Sequence, residues 1–189
     1  MPLFRTVEPA VEPVTPNEAK AHLRVSHASE DELIASLIRA ARDEVERSTG
    51  TALIDQSWRL ALDRWPRNGI AAIMRHPVKQ ILSVTVFGVD GEGSLIDPGS
   101  YSLDHLSRPA RLHFEDTPAP ARMLNGIEID FTAGFGEAGT DVPDILKRAI
   151  LMLAAHWYEF RGVYDAGDQP VSYPPGYERM ISAHRLRRL

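Results

Sequence analysis

Three groups of residues in this chain have types that suit chemistry: seven histidines, a glycine-rich loop and two carboxylates on one strand. The histidines are His22, His27, His76, His105, His113, His156 and His184. A zinc site on a helix needs two of them one turn apart, as in HExxH, and neither that motif nor any i, i+4 histidine pair occurs. They are expected to be scattered over the surface, with His156, beside Trp157, a packed or interface residue. Gly134-Phe-Gly-Glu-Ala-Gly139 has the GxGxxG spacing that lets backbone approach a pyrophosphate, and it follows a strand. A dinucleotide site, however, needs a parallel βαβ unit. Here Asp141 and Pro143 intervene before the next helix, so the segment reads as a flexible loop. Glu128 and Asp130 alternate on one strand face and read as a solvated face rather than an acid–base pair. There is no Walker A sequence and no GxSxG nucleophile elbow. The absence of Cys excludes disulfides, thiolate metal sites and cysteine nucleophiles. No catalytic, cofactor-binding or metal-ligating residue is expected, and the chain does not read as an enzyme.

The C-terminal stretch is a different kind of signal. Pro174-Pro175-Gly176 cuts it off from what precedes, and Arg179–Leu189 carries four Arg and no acid on a chain of formal charge -5. Tyr177, Met180, Ile181 and His184 trace one face of a helix, with Arg179, Arg185, Arg187 and Arg188 around it and Leu186 and Leu189 alongside. This predicts a short helix without enough neighbours of its own, one that folds into a partner's groove and is separable from the body. Arginine suits bidentate pairing with carboxylates on a protein, or with phosphates. Two functional classes therefore stand side by side: a peg for a protein partner, and a nucleic-acid-binding module using the basic tail. The acidic body argues against broad contact with nucleic acid.

Several elements must position these residues. Residues 1–15 form an arm broken by Pro2, Pro9 and Pro13, with Leu3, Phe4, Val7, Val11 and Val14 able to pack along a surface. It reads either as a frayed terminus or as an arm docked on a neighbouring subunit. Thr15-Pro-Asn-Glu18 is a capping box with Pro at the first helical position, opening a helix to about Arg24. Ser29-Glu-Asp-Glu32 reads as a second box, and Leu33, Ile34, Leu37, Ile38, Ala41 and Val45 recur with helical spacing up to Gly50, a left-handed cap. Arg39, Arg42, Asp43, Glu46 and Arg47 fall mostly on its wet face.

Strands are predicted at 56–65, 71–74, 78–88, 100–103, 110–114 and 126–132, several of them alternating in hydrophobicity. Asp90-Gly-Glu-Gly93 reads as a hairpin turn and 117–121 as a Pro-containing loop. A last long helix opens at Asp141-Val-Pro143, carries Ile145, Leu146, Ala149, Ile150, Leu153, Ala154 and Trp157 on its apolar face, and ends near Arg161-Gly162. Trp157 and Phe160 are expected to close the core. Tyr158 and Arg161, left outside, join Arg39 and Arg42 as candidate subunit-interface residues.

This order of elements is α+β: a small helical bundle of two N-terminal helices and one long C-terminal helix, an inserted antiparallel β-sheet, and an extended tail. The expected division is an arm (1–15), an α+β domain (16–162), and a linker with the docking tail (163–189). A chain of 189 residues with 43% hydrophobic content supports one ordinary core with appendages. The N-terminus lacks a signal-peptide pattern and no apolar run approaches bilayer length, so a soluble, cytoplasmic protein is expected.

Residues 15–25, Thr-Pro-Asn-Glu-Ala-Lys-Ala-His-Leu-Arg-Val, resemble the opening segment xxTxxEAKxHLRV of the head–tail connector proteins of long-tailed bacteriophages and gene transfer agents. Asp31–Gly50 resembles the family's DxLIxxLIxAAxxxxExxTG helix, and residues 53–66 its LIxQxWxLxLDxWP strand. Arg75–Val78, Val84–Gly91, Ile127–Gly136 and Val142–Arg161 follow in the family's order. The tail is similar too, with Ala183 and His184 where Pro and Tyr are common. The resemblance implies a ring, normally of twelve subunits, beneath the portal protein. Such a ring extends the DNA channel, receives a tail-side stopper or head-completion protein, and uses no cofactor. It implies that the terminal segment docks on the portal, that DNA passes without specific binding, and that the protein moves from the bacterial cytoplasm into the head–tail junction of the particle. Whether the source is a phage, a prophage or a gene transfer agent stays open.

Overall fold

The computed structural model describes residues 2–115, 119–120, 122–160 and 173–186. They form two compact units, interleaved in sequence: one of residues 11–54 and 136–189, built on helices, the other of residues 1–10 and 55–135, built on strands. The architecture is α+β, with one strand ahead of the first helix and the other described strands inserted between the second and third helices.

In the helical unit, α1 (Pro16–Leu23) begins as predicted. The Thr15 hydroxyl accepts the Glu18 amide at 3.2 Å, and the Glu18 carboxylate returns to the Thr15 amide at 2.7 Å. This reciprocal pair satisfies two amide donors that a helix start leaves without partners. α2 (Asp31–Thr49) buries Ile34, Ile38, Ala41, Val45 and Thr49 along one stripe. The second capping box does not form: Glu30 holds the cap position, one residue beyond Ser29, and makes no side-chain cap bond. The Ser29 hydroxyl instead meets His27 Nδ1 at 2.9 Å. α3 (Asp144–Phe160) buries Leu146, Ala149, Ile150, Leu153 and Ala154. Ile145, about 100° around the helix from Leu146, is exposed, and Trp157 and Phe160 are only half-buried, so the core closes one turn earlier than the aromatics suggest. α4 (Tyr177–Ile181) continues into a single 3-10 turn at Ser182–His184.

A second correction concerns Arg42 and Glu46, which the helical pattern placed on the wet face. Both are buried, at 4% and 2% exposure. Arg42 meets Glu12 at 2.8 Å, Asp43 at 2.8 Å and Glu46 at 3.2 Å. The other Glu46 oxygen accepts the Leu53 amide at 2.7 Å. The cluster binds the segment before α1 and the loop after α2 to the middle of α2. Buried charge is tolerated only when paired in this way.

α2 ends at Gly50, with φ at 75°. A Cβ here would lie 2.8 Å from Leu186 Cδ1. Gly50→Ala should cost about 1 to 2 kcal/mol in chemical denaturation, mainly from the left-handed backbone, because the Leu186 tip can turn aside. Gly50→Ala/Leu186→Ala should recover little; full recovery would assign the cost to the side-chain clash instead.

In the strand unit, a five-stranded antiparallel sheet has the order β1-β2-β8-β4-β5 and a three-stranded one the order β3-β7-β6. The large sheet comprises β1 (Leu3–Val7), β2 (Gln56–Leu62), β4 (Val78–Phe87), β5 (Gly93–Leu95) and β8 (Ile127–Ala133); the small one comprises β3 (Ile70–Ile73), β6 (Tyr101–Asp104) and β7 (Ala110–Phe114). Alternation puts Trp58, Leu60, Leu62, Ile127, Ile129 and Phe131 in the core. The Arg75 guanidinium lies 4.0 Å from the centroid of the Trp58 ring. β2 stops at Leu62, three residues short of its predicted end, and Trp65 leaves the strand to pack on Phe114, ring centroids 4.4 Å apart. Leu3–Val7 is not a frayed end: it adds an antiparallel edge strand to β2 of its own chain, from Leu3↔Leu60 to Val7↔Ser57. Pro2 and Pro9 flank this strand without entering it, which is where the ladder tolerates them.

Candidate docking surfaces

The C-terminal helix forms where the spacing of Tyr177, Met180, Ile181 and His184 placed it, but its apolar face is already covered. Tyr177 and Ile181 are fully buried within the helical unit, where α4 packs on α2 and α3. Burial pushes the Tyr177 phenol up to about 12, so it stays protonated at neutral pH. The Leu186 amide donates to the Thr49 carbonyl at 3.0 Å, taking up an acceptor that the end of α2 leaves over. The expected peg without neighbours is thus seated on its own body.

Tyr173 completes the seat and was missed, because residues 162–175 read as linker. Its ring stacks on Tyr177 with centroids 4.8 Å apart. Its hydroxyl donates to Glu44 at 2.5 Å. The four-residue spacing of the two tyrosines across the Pro-Pro-Gly break was the available signal.

What the seated tail presents outward is charged. Arg179 and Arg185 are exposed, and Met180, His184 and Leu186 are half-buried. Arg185 pairs with Glu178. Arg187, Arg188 and Leu189 lie outside the described residues, as does Arg161. Of the other interface candidates, Arg39 is exposed on α2. Arg42 is buried and committed to its own unit, which removes it as a surface residue. The Tyr158 hydroxyl bonds Glu30.

The two carboxylates on one strand and the glycine-rich loop hold structural contacts. Arg59 pairs with Glu128 at 2.7 Å and Asp130 at 2.7 Å across β2 and β8, and Ser83 adds a bond to Asp130 at 3.3 Å. A carboxylate pair bridged by one guanidinium is a cross-strand tie, not a poised acid and base. At the glycine-rich loop, a Cβ on Gly136 would lie 2.1 Å from the Asp141 carboxylate, so this glycine is spent on close packing of its own loop. Among the described residues no three His, Asp or Glu side chains gather as a metal site. No helix among them is long and apolar enough to cross a membrane.

Sequence reasoning also overlooked exposed apolar residues in turn segments. Val89 is 87% exposed, Met123 89% and Leu124 69%. Their signal was a large apolar side chain inside a Gly-, Asp- or Asn-rich turn, where polar residues are the rule.

Residues 15–83 match the family model described as phage gp6-like head-tail connector protein. No curated protein matches the chain. Among solved structures, a chain from the virion of a native gene transfer agent particle is 27% identical, with all of this chain and 97% of the other covered and a TM-score of 0.84. A chain from the neck of an empty gene transfer agent particle, computed with C6 symmetry, gives the same identity and coverage and a TM-score of 0.81. One from the neck of a native particle, computed with C12 symmetry, gives a TM-score of 0.72.

Proposed function

We propose, from the premise that this chain belongs to the head–tail connector family, that it is the adaptor subunit of a twelve-membered ring beneath the portal of a phage or gene-transfer-agent head. The chain is a structural protein, not an enzyme. The reading rests above all on likeness over the full length: the similarity to particle chains takes in the whole of this chain, tail included. A neck computed with C12 symmetry supports the number twelve. In this reading the ring extends the DNA channel, docks on the portal through the outer face and end of the tail, and receives a tail-side stopper. The acidic body lets DNA slide without being gripped. One tail per subunit multiplies modest affinities. The pairing of Arg185 with Glu178 lowers the net charge the tail offers to DNA, which favours the protein-docking reading over nucleic-acid binding.

The test is co-sedimentation of the purified chain with portal-containing, DNA-filled, tail-less heads. About twelve copies per head are expected for the wild type. The variant Arg179→Glu/Arg185→Glu changes only exposed side chains and should bind about tenfold more weakly. Absence of binding by the wild type would overturn the adaptor reading. A salt-dependent shift of DNA alone, lost in the same variant, would favour the nucleic-acid reading.

A further inference from the structure

Two features of the strand unit remain unused by tail docking, and they complement each other. The first is the tip of the β4–β5 hairpin. Gly88 donates to the Glu92 carbonyl at 2.9 Å and Gly91 to the Gly88 carbonyl at 3.2 Å, which makes a tight turn. Gly91, at φ 83°, has open space where a side chain would start. Asp90 and Glu92 are exposed on this tip, around the almost wholly exposed Val89. The tip is an apolar point with two acids.

The second is a cleft of about 600 Å³ between the end of β2 and β3. Trp65, Pro66, Ile70 and Ala72 are among the residues that line it, together with Arg64 and Arg67, both exposed. The cleft offers an apolar floor with two arginines and one acid, Asp63, whose Oδ1 already accepts the Asn125 amide at 2.8 Å. Leu62, where the cleft begins, and Val86, where the hairpin begins, both register with Ile127, from opposite sides of the central strand β8. Tip and cleft therefore lie on opposite flanks of one sheet end.

A surface that carries a plug on one flank and a matching socket on the other makes heterologous, head-to-tail contacts, the kind that closes into a ring. We infer that the β4–β5 tip of each subunit inserts into the Trp65–Ala72 cleft of the next copy, Val89 on the apolar floor and Asp90 and Glu92 against Arg64 and Arg67. The inference rests on the ring reading and names the interface that reading lacks. The acids on the tip disfavour an anionic membrane as its target, and the arginines of the cleft suit carboxylates.

The chain has no Cys, so introduced thiols report alone. Val89→Cys/Ala72→Cys subunits, assembled on heads and treated with a short bis-maleimide, should give a ladder of covalent oligomers up to the ring, whereas each single variant should stay monomeric because its thiol faces no second thiol across a head-to-tail contact. Asp90→Arg/Glu92→Arg should lower the copies bound per head about tenfold, as should Arg64→Glu/Arg67→Glu, and the four changes together should restore binding. All four charged positions are exposed, and a circular dichroism melt checks that each variant folds. Full wild-type rings with no ladder and no effect of charge reversal would overturn this inference and leave the adaptor reading standing. Heads that bind the wild type in one or two copies would overturn both.

Discussion

Arg42→Ala lowers the stability of the helical unit by about 3 to 5 kcal/mol, the largest effect expected of a single charged residue in this chain. The cause is what the deletion leaves behind. Arg42 is 4% exposed and serves Glu12, Asp43 and Glu46. Without it, Glu46, itself 2% exposed, keeps a buried charge whose compensation has gone. The Glu46 oxygen that holds the Leu53 amide then loses its orientation, and Glu12 no longer ties residues 11–13 to α2. Arg39→Ala, at an exposed position one turn away, should stay within about 0.5 kcal/mol and serves as the control. Urea denaturation of both variants decides the matter: equal, small shifts would mean that the cluster contributes nothing and the segment before α1 is held by packing alone.

Tyr177→Ala should cost about 3 to 5 kcal/mol, and deletion of 177–189 more, because both open the seat on α2 and α3 to water. This reverses the sequence expectation of a separable tail. Tyr177→Phe keeps the ring and its stacking on Tyr173, and should cost less than about 1.5 kcal/mol. Melting curves of the three proteins give the ranking. An unchanged melting temperature for Tyr177→Ala would mean that the free chain does not hold its tail in the seat. The consequence for docking experiments is direct: a truncation confounds lost docking with lost folding, while the exposed Arg179 and Arg185 can be changed without touching the core.

The parts of the fold that were legible in the sequence are those with local causes. Thr15 and Glu18 satisfy each other within one turn, so α1 could be placed to the residue. The stripe from Ile34 to Val45 needs nothing beyond helical periodicity, and β2 and β8 show their buried faces by alternation. Where partners come from afar, local reading failed. Leu3–Val7 looked like a loose arm because β2, its partner, lies more than fifty residues downstream. Arg42 looked solvated because its position on the helix says nothing of Glu12, thirty residues upstream. The tail shows the same split: the spacing of Tyr177 and Ile181 correctly gave a helix with one apolar face, yet the surfaces that cover it belong to α2 and α3. The two exposed arginines were correctly read as surface residues because the Pro-Pro-Gly break and the charge pattern are themselves local.

The interleaving of the two units has a consequence for synthesis. The strand unit has every strand it needs once residue 135 has emerged, whereas α3 and α4, which pack on α2, come last. During translation the helices made first are the last to be buried, with Ile34, Ile38 and Val45 waiting in water while about a hundred residues are added. The sheet is the natural first folding unit, and the nascent chain carries an open, sticky helical pair until its end is released from the ribosome. Overproduction that outruns this closing step should feed aggregation through the α2 stripe.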